Sequence, residues 1–325
     1  MDNQFKKMLV QRFGENLRFN EPMSAHTTLR VGGPADLFAC PGTIDDLIFL
    51  LKSLHGANIP WFVLGAGSNL LVRDGGIRGL VISMRKFNNI SESAGENNAV
   101  IVSAGAGSHL AGLCRYAAER GLAGMNFAVG IPGSVGGSIL GNAGTAEGDM
   151  ESVIRSVTLL WPCGRIETVE KNRLIFSYRS LVIKKEIKKE IKKPEGYGSN
   201  ASPLLIQGDF SLVHAELGGE SSEISASAST AMEKRMRLQP AGLSAGCFFK
   251  NPESGPSAGE LIDRAGLKGF SIGAALVSEK HANFIVNTGG AMAADILAVA
   301  GHVRRTVRKL FNVTLFPEVI IVGEE

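Results

Sequence analysis

The 325-residue sequence contains no long uninterrupted run of apolar residues. The amino-terminal segment, MDNQFKKMLVQRF, places charges among its apolar residues, and no later stretch approaches the roughly 18 apolar residues of a membrane-spanning helix. These absences argue against a secretory signal and against a membrane anchor. We therefore expect a cytoplasmic protein that has no membrane partner.

Charged residues are also few, and neither sign dominates. Lys and Arg number 34 against 31 Asp and Glu, which gives a net charge of +3 with 20% charged residues. Because a chain without a strong positive field has no general attraction for polyanions, we expect no nucleic-acid partner. With 44% hydrophobic residues, the chain can bury a large core divided over two or three domains.

Cysteine is scarce, and no two cysteines form a C-x-x-C pair. The four cysteines are widely spaced at Cys40, Cys114, Cys163 and Cys247. This spacing argues against both a disulfide framework and a zinc site, so no bound metal is predicted. Free thiols are typical of a reducing compartment.

Glycine, in contrast, is abundant, with 40 residues concentrated in a few clusters. The first cluster, GAGSN at 65–69, follows a strand-like run at 61–64. It lacks the third glycine of G-x-G-x-x-G, and no G-x-x-x-x-G-K-[ST] sequence occurs, which argues against a Rossmann loop and a P-loop. Two interpretations stay open for this cluster: a loop of backbone N–H groups that binds pyrophosphate, and a tight turn.

The second cluster, GIPGSVGG at 130–137, continues through GNAG at 141–144. Glycine-rich backbone stiffened by Pro132 predicts a flat surface on which a large planar ring can lie at van der Waals distance. The alternative is a glycine-rich packing loop between domains.

Capping residues and hydrophobic patterns predict the elements around these clusters. Thr43 is a predicted helix cap, followed by two acidic residues and an apolar stripe that ends at Leu54. A second GAGS sequence at 105–108 predicts a turn from a strand into a short helix closed by Gly121. Further predictions are strands at 70–72, 80–82, 100–102 and 283–286, a helix start at 257–260, a helix at 293–311, and an apolar strand at 313–322 interrupted by Pro317-Glu318.

The segment at 183–193, IKKEIKKEIKK, fits two structures. Its apolar residues recur every four positions, as in a helix, and Ile also alternates with Lys, as in an exposed strand. Because Glu186 and Glu190 dilute the positive charge, a solvated surface element is favoured over a nucleic-acid or membrane patch. The following PEGYGSNASP at 194–203 is predicted to be a loop.

Taken together, the motifs resemble one family along nearly the whole chain. TLRVGGPA at 28–35, GAGSNLLV at 65–72, GIPGSVGG at 130–137 and NAG at 142–144 are similar to the FAD-binding half of the UDP-N-acetylenolpyruvoylglucosamine reductase (MurB) family. YRS at 178–180, SAGCFFKNP at 244–252, HANFIVN at 281–287 and PEV at 317–319 are similar to its substrate half. The stretch between Asn142 and Met150 lacks the more tyrosine-rich version found in part of the family and resembles the shorter, type II branch.

This resemblance implies an α+β fold. It consists of a FAD-binding fold of the PCMH/vanillyl-alcohol-oxidase type, made of two α+β subdomains, and a carboxy-terminal α+β substrate-binding domain. The expected boundaries are 1–85 and 86–215 for the subdomains and 216–325 for the substrate domain, with the terminal strand carrying Glu318 into the active site.

The resemblance also implies the cofactors and the reaction. FAD is expected to be bound non-covalently, with NADPH as the reductant, and the enolpyruvyl ether of a UDP-sugar is expected to be reduced to a lactyl ether in peptidoglycan synthesis. We also expect a monomer. The residues expected to bind the cofactor are Arg30, Gly65, Ala66, Gly67, Ser68, Asn69, Leu70, Gly130, Ile131, Pro132, Gly133, Ser134, Gly136, Gly137, Asn142 and Gly144.

Three residues are expected to carry the chemistry. By motif position, Arg179 stabilises the charge that develops on the substrate carboxylate, because a guanidinium can hold a carboxylate through two hydrogen bonds. Glu318, a carboxyl group in an apolar stretch, is assigned to transition-state stabilisation. Cys247 occupies the position of the family's usual serine proton donor, and a thiol, which titrates near 8.5, can also donate a proton. The alternative for Cys247 is a small buried hydrophobe.

Other motif residues are expected to bind the UDP-sugar, and they are Tyr178, Arg235, Lys250 and Asn251, with Arg237 a weaker candidate. His281 and Asn283 belong to a family motif, but a structural role is favoured for His281. Two competing functions stay open: a FAD-dependent oxidase of the same fold, and a catalytically silent nucleotide-sugar-binding or flavin-binding protein.

Overall fold

A computed structural model describes residues 3–183, 202–214, 230, 232–233 and 235–325. The predicted surface element at 184–193 lies outside the described residues, as does nearly all of the predicted loop at 194–203. The chain divides into two compact units: unit 1 consists of 1–18, 37–66 and 79–233, and unit 2 of 19–36, 67–78 and 234–325. The predicted division into domains stays a prediction, because compactness alone does not show which parts fold independently.

One four-stranded sheet lies near the start of the chain. Its strands are β1 (Leu17–Pro22), β2 (Pro34–Ala39), β3 (Trp61–Leu64) and β5 (Ile77–Ser83), in the order β1-β2-β5-β3. β3 and β5 are parallel, with Trp61 opposite Leu80. Helices α1 (Asn3–Phe13) and α2 (Ile44–Gly56) precede and follow the first two strands.

Unit 1 contains a six-stranded antiparallel sheet in the order β12-β11-β15-β7-β6, with β8 pairing β15. Its strands are β6 (Ile90–Ala94), β7 (Ala99–Gly105), β8 (Leu122–Ala123), β11 (Ile154–Leu160), β12 (Ile166–Glu170) and β15 (Leu204–His214). The helices of this part of the chain are α3 (Leu110–Glu119), α4 (Val135–Leu140) and α5 (Met150–Val153). Two further pairs of short strands are present: β9 (Gly144–Thr145) pairs with β10 (Gly148–Asp149), and β13 (Leu174–Ser177) pairs with β14 (Ser180–Ile183).

Unit 2 is built on a four-stranded antiparallel sheet in the order β16-β19-β18-β17. The strands are β16 (Leu243–Cys247), β17 (Ser271–Ile272), β18 (Ala275–Val277) and β19 (Phe284–Asn287), and the helices are α6 (Ala258–Arg264) and α7 (Ala293–Phe311). The last strand, β20 (Ile320–Val322), pairs in parallel with β4 (Leu70–Val72), which follows the first glycine cluster.

Each unit has its own hydrophobic core. The core of unit 1 packs the apolar face of α2 against strands and helices of the same unit, and includes Leu47, Leu50, Leu51, Val102, Leu113 and Phe210. The core of unit 2 packs α7 against its sheet and includes Leu71, Phe248, Phe249, Ile285, Ile296 and Val303. Burial of these side chains supplies the main favourable free energy for each unit.

Most predicted elements are confirmed. Thr43 caps α2, since its Oγ1 accepts a hydrogen bond from the Asp46 N–H at 3.1 Å, and Ser257 caps α6 through the Glu260 N–H at 3.2 Å. The second GAGS sequence does lead from β7 into α3, and Gly121 has a φ of +65° at its end. The helix at 293–311 and the strands near 61, 70, 80, 100 and 284 are present.

Two predictions are wrong in part. The apolar stretch at 313–322 forms a strand only at Ile320–Val322, because the backbone at 316–318 bonds to 248–250 instead. The second glycine cluster is not flat throughout, since α4 begins at Val135 with Ser134 as its cap. Among the described residues, no helix is long and apolar enough to cross a membrane.

Candidate active site

The first glycine cluster is packed tightly against other parts of the protein at two positions. A Cβ at Gly65 would collide with Oγ of Ser134, and a Cβ at Gly67 would collide with the carbonyl oxygen of His26. Gly67 also has a φ of +65°, a conformation that L-residues rarely adopt. The loop is held to the TLRVGGPA segment, because the Thr28 N–H donates to the Gly67 carbonyl at 3.2 Å. Arg30, in the same segment, has a φ of +51°.

The second glycine cluster packs closely against the second GAGS sequence, within unit 1. Gly136 leaves no room for a side chain, since a Cβ there would lie 2.8 Å from the Cβ of Ala106. The Val135 N–H donates to the Ser108 carbonyl at 2.8 Å, and the Leu110 N–H donates to the Gly133 carbonyl at 3.0 Å. These contacts fix two glycine-rich turns side by side.

Asn142 and Gly144 lie at the end of the second cluster, where they form a turn. The Asn142 Nδ2 donates to Oδ2 of Asp149 at 3.1 Å, and its Oδ1 accepts from the Glu151 N–H at 3.1 Å. A Cβ at Gly144 would lie 2.5 Å from the Cβ of Asp149. The side chain of Asn142 therefore stabilises this turn.

Two features of the glycine-rich loops bear on a bound dinucleotide. Close packing of Gly65, Gly67 and Gly136 against neighbouring protein atoms fixes the course of the backbone. Ser108 is 2% exposed, and its Oγ has no hydrogen-bond partner among the described residues. A buried hydroxyl without a partner is costly unless a ligand or water supplies one. The Ser108 hydroxyl is suited to a polar ligand beside the second glycine cluster, and the assignment of 65–69 and 130–137 to FAD binding stays a prediction.

In unit 2 the end of the first glycine cluster is bonded to the backbone of Glu318. The Asn69 Nδ2 donates to the Glu318 carbonyl at 3.1 Å, and the Ile320 N–H donates to the Asn69 carbonyl at 3.0 Å. The parallel pairing of Leu70 with Ile320 continues this contact into β4 and β20. A predicted cofactor loop and a predicted catalytic residue are thus joined by backbone structure.

The segment that carries Cys247 is joined to Glu318 as well. The Glu318 N–H donates to the Phe248 carbonyl at 2.8 Å, and the Lys250 N–H donates to the Phe316 carbonyl at 2.9 Å. Between Ser244 and Cys247 the pairing of β16 with β19 shifts by one residue, and Gly246 within this bulge has a φ of +79°. Because a β-bulge re-aims the side chains beside it, the bulge sets the direction of Cys247.

Arg235 is the predicted substrate residue most clearly associated with Cys247. Burial lowers the pKa of Arg235 from its ordinary value, and an electrostatic interaction with Cys247 acts in the opposite direction. Both residues belong to unit 2.

Lys250 and Asn251 follow Cys247 on the same segment and are exposed. The Asn251 Oδ1 accepts from the Ala258 N–H at 3.0 Å at the start of α6, so this side chain also has a structural role.

Arg179 and Tyr178 form the two-residue turn between β13 and β14, where Ser177 pairs with Ser180. Arg179 has a φ of +59° and is half-buried, and its guanidinium carbon lies 5.3 Å from the centre of the Tyr178 ring. Tyr178 is exposed. A left-handed conformation in a non-glycine residue is uncommon and is typical of a functional or tightly constrained turn.

The sequence did not identify Asn283 or Ser108 as functional candidates. Asn283 is buried and bonds to the backbone of Phe249, two residues after Cys247. Its place in the motif HANFIVN was the one sequence signal that could have identified it. Ser108 gave none, because a buried serine in a turn has no distinctive pattern.

Comparison with known proteins identifies the class of protein first. Residues 35–170 match the family model described as "FAD binding domain", and residues 239–322 match the one described as "UDP-N-acetylenolpyruvoylglucosamine reductase, C-terminal domain". The chain is therefore a flavoprotein whose FAD-binding part is followed by a reductase domain. The predicted fold class and FAD as cofactor are confirmed.

Similarity to individual proteins extends over the full length. The chain is 48% identical to the UDP-N-acetylenolpyruvoylglucosamine reductase of Desulfosudis oleivorans, covering 100% of both chains, and 40% identical to that of Clostridium perfringens strain SM101, covering 99% of this chain and 98% of the other. The crystal structure of the Thermus caldophilus enzyme is 32% identical with a TM-score of 0.75, covering 94% of this chain and 99% of the other. The chain belongs to the UDP-N-acetylenolpyruvoylglucosamine reductase family and is an oxidoreductase.

Proposed function

We propose that the protein reduces the enolpyruvyl ether of UDP-N-acetylglucosamine to the lactyl ether, giving UDP-N-acetylmuramate, with NADPH as the source of electrons. Family membership supports the reaction class, and the similarity covers both the cofactor-binding and the reductase parts of the chain. The specific roles of Arg179, Cys247 and Glu318 are part of this proposal.

The main structural support for the proposal is a series of hydrogen bonds within unit 2. Asn69 at the end of the cofactor loop bonds to Glu318, and Glu318 bonds in turn to Phe248, the residue after Cys247. The backbone segments that carry Glu318 and Cys247 are thereby joined to a loop expected to bind FAD. Reduction of a double bond next to a carboxylate requires a proton donor and fixed polar groups close to the hydride source.

The chemistry needs one hydride and one proton. FAD held by the glycine-rich loops would supply a hydride, originating from NADPH, to one vinyl carbon. The Cys247 thiol then gives its proton to the other carbon, and the resulting thiolate is protonated again by solvent. Negative charge develops on the substrate carboxylate when the hydride is added and before the proton is delivered; Arg179 is assigned to stabilise that charge, and Glu318 is assigned to transition-state stabilisation.

The remaining predicted contacts orient the nucleotide part of the substrate. Lys250 supplies a point charge and Asn251 a hydrogen-bond donor for the diphosphate, with Arg235 and Tyr178 as further contacts. We also propose that the enzyme acts as a monomer in the cytoplasm, and size-exclusion chromatography with light scattering measures the first of these two properties.

The test is a steady-state assay with purified protein, NADPH and the enolpyruvyl UDP-sugar. We expect NADPH consumption that depends on the sugar nucleotide, and a product heavier by two hydrogens in mass spectrometry. Sustained peroxide formation in air with a small alcohol would identify an oxidase instead. Binding of the sugar nucleotide without any product would identify a silent binding protein.

A further inference from the structure

The residues after Cys247 do not follow the alternating pattern of a strand. Phe248 and Phe249 are neighbours in sequence, yet both are buried, with 2% and 1% exposure, and their rings meet edge to face at 5.1 Å. Side chains of a regular strand point to opposite faces, so two consecutive core residues require a locally irregular backbone. Something other than the strand ladder must therefore fix the backbone next to the thiol.

Asn283 supplies that fixation. Its Oδ1 accepts from the Phe249 N–H at 2.9 Å, its Nδ2 donates to the Phe249 carbonyl at 2.8 Å, and its own carbonyl accepts from the Phe248 N–H at 2.7 Å. The residue is 3% exposed. Three hydrogen bonds in a buried site, away from competing water, hold the two phenylalanine residues in one position.

The side chain of Asn283 acts here as a substitute for a peptide group. β19 begins only at Phe284, so the ordinary ladder between β19 and the Cys247 segment ends at the pair Cys247 and Phe284. A carboxamide offers one acceptor and two donors, and thus satisfies an N–H and a carbonyl as a neighbouring strand would. The Asn283 side chain therefore continues the hydrogen-bonding pattern between β19 and the Cys247 segment beyond the last residue pair of the two strands.

The same segment is held from its other edge by the chain that carries Glu318. The Phe248 carbonyl accepts from the Glu318 N–H, and Phe249 forms an antiparallel bridge with Pro317. A shift at Phe248 or Phe249 would therefore move both Cys247 and Glu318. The amide of Asn283 therefore holds a backbone segment to which both Cys247 and Glu318 are attached.

Asn283 is itself anchored. Its N–H donates to Nδ1 of His281 at 3.2 Å, which requires that nitrogen to be unprotonated. His281 is packed against Gly259, where an added Cβ would lie 3.3 Å from Cε1 of the ring. The half-buried His281 therefore fixes Asn283 from the side of α6.

We infer that Asn283 is a positioning residue for proton delivery by Cys247. The inference rests on the proposed function, since it assigns a role within the same reaction. Asn283 does not contact the substrate; it acts by fixing the backbone from which the thiol extends. A displacement of about 1 Å in a reacting group can slow a reaction by about 100-fold.

The experiment compares Asn283→Ala and Asn283→Asp with a matched control, Asn287→Ala. Asn287 is also buried in β19, but its side chain bonds to the Leu29 carbonyl and to the N–H groups of Gly289 and Ala291, none of which lies beside Cys247. The Asp variant is close in shape to Asn and keeps an acceptor for Phe249 while losing the donor. If Asn283→Ala does not fold, Asn283→Asp still allows the rates to be measured.

Stopped-flow absorbance separates the two half-reactions. For both Asn283 variants we expect flavin reduction by NADPH at the parental rate, and reoxidation by the enolpyruvyl sugar nucleotide slowed by about 10- to 100-fold. Asn287→Ala should lose thermal stability without this selective loss. Parental reoxidation rates in a folded Asn283→Asp variant would overturn the inference.

A second readout does not depend on turnover. In a Cys163→Ser background, which removes an exposed thiol, the rate of Cys247 alkylation by iodoacetamide is followed by peptide mass spectrometry across pH. The Asn283 variants should shift this pH profile and Asn287→Ala should not; coinciding profiles would contradict the inference. Absence of product from the parental enzyme would instead contradict the proposed function, and the alkylation profiles would still decide the role of Asn283.

Discussion

The glycine-rich loops and the Cys247 segment are built by different means. In the loops at 65–69 and 133–137, the glycine backbone lies so close to other protein atoms, such as the His26 carbonyl oxygen, that added side chains would collide with them. In the Cys247 segment the backbone is held by a side chain, that of Asn283, and the groups expected to react are also side chains. The structure of the glycine-rich loops depends on the absence of side chains, whereas the structure of the Cys247 segment depends on the identity of a few side chains.

This difference predicts how each region responds to substitution. Adding a methyl group to a tight loop acts on folding and on cofactor binding. Changing one functional group beside Cys247 acts on a single chemical step and leaves the fold in place. The two regions therefore give mutant phenotypes that experiments can tell apart.

The largest expected effect is on the substrate side, at Cys247. Cys247→Ala removes the proposed proton donor and should slow flavin reoxidation by about 100- to 10,000-fold, the usual contribution of general acid catalysis. Cys247→Ser keeps a donor of similar shape and should retain substantial turnover. Single-turnover stopped-flow measurements check both rates.

Flavin reduction by NADPH serves as the internal control for these variants, since it precedes the proposed proton transfer. Equal reoxidation rates in Cys247→Ala and the parental enzyme would eliminate Cys247 as the donor. The assignment would then pass to a water molecule or to another side chain.

A graded glycine series tests the backbone-built region. Gly67 and Gly121 share a φ of +65°, but an added Cβ collides with the His26 carbonyl at Gly67 and meets nothing within 4 Å at Gly121. Gly67→Ala should therefore destabilise the protein by about 2–5 kcal/mol and weaken FAD binding, whereas Gly121→Ala should cost about 1–2 kcal/mol, the strain of the left-handed conformation alone.

Gly112 completes the series, because it lies in α3 with open space around it. Gly112→Ala should stabilise the protein by about 0.5–1 kcal/mol through higher helix propensity. Urea unfolding gives the three values, and titration of apoprotein with FAD gives the affinities. Similar losses at Gly67 and Gly121 would show that close backbone approach is unimportant in the loop.

The smallest expected effect concerns pH and the anchor of Asn283. Burial lowers the pKa of His281 from its ordinary value of 6.5, so the folded protein binds a proton less readily than the unfolded chain. The contribution of His281 to stability is full above pH 6.5 and is lost as pH falls from there through the lowered pKa.

His281→Gln should weaken this pH dependence. Urea unfolding of both proteins at intervals between about pH 8 and about pH 5 measures it. Identical slopes of unfolding free energy against pH would contradict the assignment of a neutral, half-buried His281.

The sequence correctly predicted the helices and strands that are determined by neighbouring residues, such as capping residues and hydrophobic patterns. Thr43 and Ser257 cap helices as expected because their hydroxyl groups accept hydrogen bonds from nearby backbone N–H groups. Strand and helix could also be told apart around both GAGS sequences. The family resemblance gave FAD and the reductase class, which composition and periodicity could not.

Long-range structure was outside the reach of local patterns. Residues 316–318 were predicted as part of a strand, but they bond to 248–250, some seventy residues earlier in the chain. The irregular backbone at Phe248, the amide bonds of Asn283 and the inclusion of 19–36 and 67–78 in unit 2 likewise depend on tertiary contacts. No periodicity within a short window encodes such contacts.

The central claim is that electrons pass from NADPH through FAD to an enolpyruvyl sugar nucleotide. An anaerobic titration of the holoenzyme tests it most directly, with flavin absorbance as the signal. NADPH should bleach the yellow protein, and one equivalent of the enolpyruvyl UDP-sugar should restore the colour. Colour that fails to return with this compound would contradict the account.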